Sequence, residues 1–330
     1  MKKILSFLTA SVILLLLSIN LISCNFDRRP KIAFIVSTKT NPYFQLMLDE
    51  ARTVANQYGY GLNEYDSSTP ASPNGDTGQE LTNVQNAITK GDSAIIINPV
   101  DSTLYSAARI INAANVPFVS VDRAYQNRGY QDYIFATDNV IAAQKLQEVI
   151  YSYLTTVGVI SQTNPQIKVY ELWGTQNSNA AQDRHQGFMK NHPNQIFNVT
   201  GDTPQVANFD MSQAVINITQ NINKVKTADV IFAHNDNMAL GAIQGLKQAA
   251  PKWLDKQHLV IGFDAITDAL NQIENWENNV TNMFATVQQQ PTLMAKRAVL
   301  KAITMIKNGR PVIKDQFEKI DVNIIKPKKV

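Results

Sequence analysis

Residues 31–59 read KIAFIVSTKTNPYFQLMLDEARTVANQYG, and their pattern decides the fold. Ile32 to Val36 is a continuous apolar run, as expected of a strand covered on both faces rather than one with a solvated side. From Pro42 to Tyr58, the residues Phe44, Met47, Leu48, Ala51, Val54, Ala55 and Tyr58 follow i, i+3, i+4, i+7 spacing and make one buried helix face. Asn41 is placed to cap that helix, Pro42 suits its first position and Gly59 ends it. A buried strand followed at once by a covering helix is the repeating unit of a parallel α/β sheet.

The same alternation continues along the chain. Further strands are predicted at Leu62–Tyr65, Ala94–Ile97, Phe118–Val121, Ile167–Leu172, Val230–Ala233, Leu259–Phe263 and Met283–Val287. A second well-marked helix starts near Pro291, turns Met294, Ala298, Ala302 and Ile306 inward, and stops at Gly309. The polar stretch Ser67 to Gly78, with Gly75 inside it, reads as an exposed loop ahead of a helix carrying Leu81, Val84 and Ile88. The length suits about two domains. The expected fold is therefore α/β, with two doubly wound parallel-sheet lobes.

The first residues, MKKILSFLTASVILLLLSINLISC (1–24), have the layout of a secretory signal: two lysines, an apolar run and a small residue. That run is nearly long enough to be a retained membrane anchor. Leu21-Ile22-Ser23-Cys24 instead resembles the lipobox of bacterial lipoproteins. The resemblance implies a signal peptide over 1–23, a diacylglyceryl group on the thiol of Cys24, and a short linker, 24–30, to the first strand. Cys24 is the sole cysteine, so disulfides and thiolate metal clusters are excluded. Losing Lys2 and Lys3 with no acid takes the formal charge from +3 to +1, and a nearly neutral body argues against nucleic acid as a partner.

In open parallel sheets ligands bind beyond the carboxyl ends of the strands. The residues there are Ser37, Asn98, Asp122, Arg123, Asn235, Asp264 and Gln288 or Gln289. A sugar hydroxyl both donates and accepts, and carboxylates, amides and guanidinium together serve both needs. Tyr43, Phe44 and Phe209 could cover the C–H faces of a sugar ring. Plainer roles compete with this. Asn41, Asn235 and Asp264 could only cap helices, Phe44 could be plain core, and Asp122 and Arg123 could form a local ion pair.

The segments STKTNPYF (37–44), INPVDS (97–102), VDRA (121–124), AAQDRHQGF (180–188), ANFD (207–210), FAHNDNMALGA (232–242), GFD (262–264) and ATVQQ (285–289) narrow the choice. In this order and spacing, across residues 31–326, they resemble the bacterial periplasmic ribose-binding family of type I binding proteins, which share the LacI-like fold. That resemblance implies the substrate-binding component of an ABC sugar importer: extracytoplasmic, monomeric, without cofactor or metal and without enzymatic activity. It would bind a monosaccharide, D-ribose or a related pentose, and present it to the membrane permease. The acylated Cys24 would hold it to the lipid bilayer.

Carried over by position, Ser37, Asn41, Tyr43, Phe44, Asn98, Asp122, Arg123 and Gln289 would line one side of the pocket. Arg184, Phe209, Asn235 and Asp264 would line the other. The resemblance also implies a three-strand hinge, with crossings near Thr137-Asp138, Gln289-Gln290 and Ile320-Asp321. The lobes would then be 31–137 with 290–320, and 138–289 with 321–330.

This chain departs from the family pattern in three places. Tyr43 stands where phenylalanine is common, Trp173 stands where glutamine is more frequent, and the Ser67 to Gly78 loop is longer. Trp173 is a further candidate for the pocket, and with Tyr43 it leaves the sugar open to a hexose, a furanose or a polyol, with service to a chemoreceptor as a compatible role. A sugar-responsive regulator would need a DNA-binding helix pair before the first strand. A glycosidase could use Asp122 and Asp264 as its paired carboxylates, but carboxylates beside arginines are expected to stay ionised and make poor general acids. No alternating Asp/Asn calcium loop appears. His185, His192, His234 and His258 lack paired metal spacing, and His185 is expected on the surface or just behind the pocket.

Overall fold

The structure is a computed structural model that describes residues 27, 29–126, 129–190, 194–253, 258–276 and 282–328. The signal segment 1–23, Cys24, most of the 24–30 linker and His192 lie outside the described residues. Among the described residues no helix is long and apolar enough to cross a membrane.

Two sheets carry the fold. The first contains β1 (Lys31–Val36), β2 (Gly61–Asp66), β3 (Ala94–Ile97), β4 (Phe118–Val121), β5 (Tyr133–Thr137) and β12 (Gln316–Ile320), in the order β12-β5-β4-β3-β1-β2. Every pairing in it is parallel. The second contains β6 (Ile167–Trp173), β7 (Ile196–Asn198), β9 (Val230–Ala233), β10 (Leu259–Phe263), β11 (Met283–Gln288) and β13 (Asn323–Ile325), in the order β13-β11-β10-β9-β6-β7, while β8 (Gln205–Val206) pairs with β6. Only the edge strand β13 runs antiparallel.

Helices cover both faces of each sheet, which explains why the central strands are apolar without alternation. In the first lobe, Ile32, Phe34 and Val36 pack with Met47, Leu48 and Ala51 of the helix Pro42–Gln57 and with Met294 and Ala298 of the helix Pro291–Asn308. Their neighbours Ala33 and Ile35 face Val84, Ala87 and Ile111 on the other side. The second lobe repeats this, with Val169, Phe232 and Ile261 toward the helix Asn139–Thr156, and Tyr170, Ile231 and Val260 toward Met238 and Ala242 of the helix Asp236–Ala249.

The chain passes between the sheets at three points: after Thr137 into the helix Asn139–Thr156 of the second lobe, after Gln288 into the helix Pro291–Asn308 of the first, and between Ile320 and Asn323. The strands β5, β7, β8, β12 and β13 were not predicted. In β12, QFEKI alternates partly exposed and exposed residues before ending on buried Ile320, so it lacks the apolar run that marks the covered strands. The Ser67 loop is also shorter than expected: Asp76 caps a helix that starts at Thr77, which takes Gly78 inside it.

Candidate functional site

The carboxyl ends of both sheets converge on one small, tightly closed cavity, bounded by Asn41, Tyr43, Phe44, Asp122 and Arg123 from the first lobe. Arg184, Phe209, Asn235, Asp264 and Ala180 close it from the second. Larger surface grooves exist, but the cavity between the lobes is where buried charge gathers. Asp122, Arg123, Arg184 and Asp264 are each 8% exposed or less. Buried charge is costly unless paired, so such a set needs a reason.

Asp122 follows β4 with φ +62°, a left-handed conformation that turns its side chain across the strand ends. Its Oδ2 accepts from Asn98 Nδ2 at 3.0 Å, its Oδ1 accepts from the Tyr43 hydroxyl at 3.1 Å, and Arg123 Nε lies 3.6 Å from Oδ2. Phe209 (φ +63°) and Asp264 (φ +111°) also have left-handed backbones. Such residues cost about 1–3 kcal/mol each and collect at functional sites. Opposite, Arg184 donates from Nε to Asn139 Oδ1 at 2.9 Å and from Nη1 to the His234 carbonyl, and its Nη2 lies 4.0 Å from Asp264.

Aromatic rings frame these charges. The Arg123 guanidinium lies 4.9 Å from the Phe209 ring centre and 5.8 Å from that of Phe44, and Arg184 stacks 4.2 Å over Phe263. Gly174 backs Phe209 so closely that a Cβ there would lie 2.1 Å from the ring. Burial depresses the Arg123 pKa despite neighbouring Asp122. Burial lifts Asp264 to about 7, against the opposing pull of Arg184. Asp264 thus departs from the expectation of a carboxylate kept ionised by its arginine.

The other candidates stand one layer back. Buried Ser37 donates from its backbone N to Asn98 Oδ1 at 3.4 Å, and Asn98 in turn donates to Asp122. Gln289 donates to Asp264 Oδ1 at 2.8 Å. Ser37 Oγ, Arg123 Nε and Gln289 Oε1 are buried without a hydrogen-bond partner. Of the three residues only Arg123 lines the cavity, and its Nε is a donor for a polar guest. Asn41 and Asn235 do cap their helices, through Tyr43 N and Met238 N, while also facing the cavity. Asp264 caps nothing, since the next helix starts at Thr267 after Ile266.

Trp173 does not line the cavity. Its indole N–H finds a better partner in the buried Glu171 carboxylate at 2.9 Å, and its ring lies against His185 and His234, with centroids 4.5 and 5.1 Å away. Glu171 also meets His185 Nδ1 at 2.9 Å and His234 Nε2 at 2.8 Å. Burial pushes Glu171 up, but the two histidine contacts outweigh it and the net shift is downward. Burial keeps His234 below its ordinary value. The sequence hid this cluster because His185 and His234 reach Glu171 and Trp173 of β6 from distant parts of the chain, and it hid Ala180 because a small apolar residue carries no chemical signal.

The sequence profile of the periplasmic binding protein domain matches residues 32–311. The chain belongs to the periplasmic binding protein family. Among the relatives of this periplasmic binding protein, the ribose import binding protein of Haemophilus influenzae is 31% identical over 312 residues, covering 94% of this chain and 95% of that one. That of Escherichia coli is 30% identical over 292 residues, covering 88% and 89%. Among solved structures, a galactofuranose binding protein superimposes with a TM-score of 0.77 at 20% identity, covering 91% of this chain and 95% of that one. The Caulobacter myo-inositol binding protein gives 0.72 at 24% identity, covering 90% and 93%. The periplasmic binding protein fold, two α/β lobes around a cleft, is therefore shared well beyond the sequence relatives.

Proposed function

We propose that this chain is the substrate-binding component of an ABC sugar importer, that it holds one monosaccharide between its lobes without chemical change, and that D-ribose or a related pentose is the ligand. The observation that carries the reading is the cavity itself, where carboxylates and guanidinium groups from both lobes meet between the aromatic rings of Phe44 and Phe209. Relatives named for ribose import support the pentose. A relative from Actinobacillus succinogenes named for D-apiose import, 25% identical, also supports a pentose.

In this reading Ser37, Asn41, Tyr43, Phe44, Asn98, Asp122, Arg123 and Gln289 serve the ligand from the first lobe and hinge. Arg184, Phe209, Asn235 and Asp264 serve it from the second. The lobes are 31–137 with 290–320 and 138–289 with 321–330. The protein works as an extracytoplasmic monomer, tethered to the bilayer by Cys24 and delivering to permease subunits.

A thermal-shift screen of residues 26–330 against pentoses, hexoses and pentitols tests the ligand, since a guest that binds only the folded form raises its melting temperature. D-Ribose should shift it most, and calorimetry should find Asp122→Ala at least about fivefold weaker, because one lost partner of a buried hydroxyl costs roughly 1–3 kcal/mol. A silent ribose beside an active hexose would reject the pentose, and silence from every sugar would reject the binder. The tether is tested separately. The full chain expressed in bacteria should partition into detergent, and Cys24→Ser should move it to the aqueous phase; equal partitioning would reject the anchor.

A further inference from the structure

The two lobes also touch through residues that do not line the cavity. Ser102 N donates to the Asn177 carbonyl at 3.0 Å, and Asn177 Nδ2 donates to Asp101 Oδ2 at 3.0 Å. Asn179 N donates to Ser102 Oγ at 3.1 Å, and that hydroxyl donates back to Asn179 Oδ1 at 2.9 Å. Ala124 N reaches the same Oδ1 at 3.4 Å, and the Gln126 and Gln182 side chains meet at 3.3 Å. Each bond joins the first lobe to the second, and Ser102 is wholly buried.

The first-lobe half of this contact is tied to the cavity by its own chain. In the segment 98–102, Asn98 holds Asp122, the Pro99 carbonyl accepts from Arg123 Nη1 at 3.3 Å, and Val100 N donates to Glu80 at 2.6 Å. Asp101 and Ser102 then face the other lobe. One short segment therefore fixes two cavity residues at its start and the opposing lobe at its end.

We propose that Asp101, Ser102, Asn177 and Asn179 form a latch that sets the affinity and residence time of the sugar without touching it, a proposal that rests on the reading of the cavity as an inter-lobe sugar site. Hydrogen bonds made only in the closed arrangement shift the hinge toward closure whether or not sugar is present. Apparent affinity scales with the closed population, so the latch contributes to it for every sugar alike. Release requires these bonds to break, so the contribution falls on dissociation.

The test exploits the Asp101–Asn177 contact. Asn177→Asp sets two carboxylates against each other, whereas pairing it with Asp101→Asn restores one donor and one acceptor in swapped positions. Small-angle scattering of residues 26–330 without sugar should give a larger radius of gyration for Asn177→Asp than for the parent, and the swapped pair should return to the parent value. With D-ribose as probe, Asn177→Asp should dissociate about fivefold faster with association changed less than twofold, and the swap should recover the parent rate. Equal radii together with unchanged dissociation would overturn the latch, as would a swap no better than the single variant. If the parent does not bind D-ribose, the ligand reading fails on its own, and scattering alone decides the latch.

Discussion

Glu80 places a carboxyl group where the surroundings favour a neutral one. It is 2% exposed, accepts from Val100 N at 2.6 Å and meets the Tyr125 hydroxyl at 2.7 Å. Burial lifts its pKa from 4.5 to about 7, against those two hydrogen bonds. A pKa raised by folding means that the native state binds more protons than the unfolded state between those limits, so stability rises as pH falls. The contribution is fully present below about 4.5, is lost on rising through about 7, and amounts to about 3 kcal/mol. Glu80→Gln can accept from Val100 N and donate to Tyr125 at any pH. Urea unfolding should show the parent gaining stability from pH 7 to pH 5 more steeply than the variant by about 1–3 kcal/mol. Parallel pH profiles would show that Glu80 stays ionised in the folded protein.

Among the elements, the loop before the helix Thr77–Thr89 shows what sequence reading reaches and where it stops. Its polar composition marked an exposed excursion, but not the close approach of Gly75, whose φ is +126° and whose added Cβ would lie 2.9 Å from Val100 and 3.1 Å from the Ser37 carbonyl. Gly75→Ala should therefore lose about 1–3 kcal/mol in chemical denaturation, from backbone strain and from pressure on Val100; a neutral result would mean that the loop can lift away. Covered strands such as Ala94–Ile97 and Val230–Ala233 were legible because both faces are buried, and cavity residues such as Asp122 because they end those strands. The edge strand Gln316–Ile320, the turning of Trp173 toward Glu171, and the contact of Asn177 with Asp101 were not. Each depends on which distant element arrives beside it, and no local period records that.

At the scale of the molecule, neither lobe is a contiguous piece of chain. The first sheet takes β1 to β5 and then waits for β12, while the second takes β6 to β11 and finishes with β13. Gln289 sits at a crossing while holding Asp264 of the second lobe, so the hinge and the cavity share residues. A ligand bridging Asp122 and Asp264 would hold both lobes, and heat should find them coupled. At a sugar concentration about 100-fold above Kd, ligand linkage supplies about 2.7 kcal/mol, or about 4 °C in Tm for a chain of this size. Scanning calorimetry of residues 26–330 should therefore show the whole unfolding endotherm moving upward with the bound sugar. Two endotherms of which one alone moved would place the sugar within a single lobe, and the cleft would lose its role.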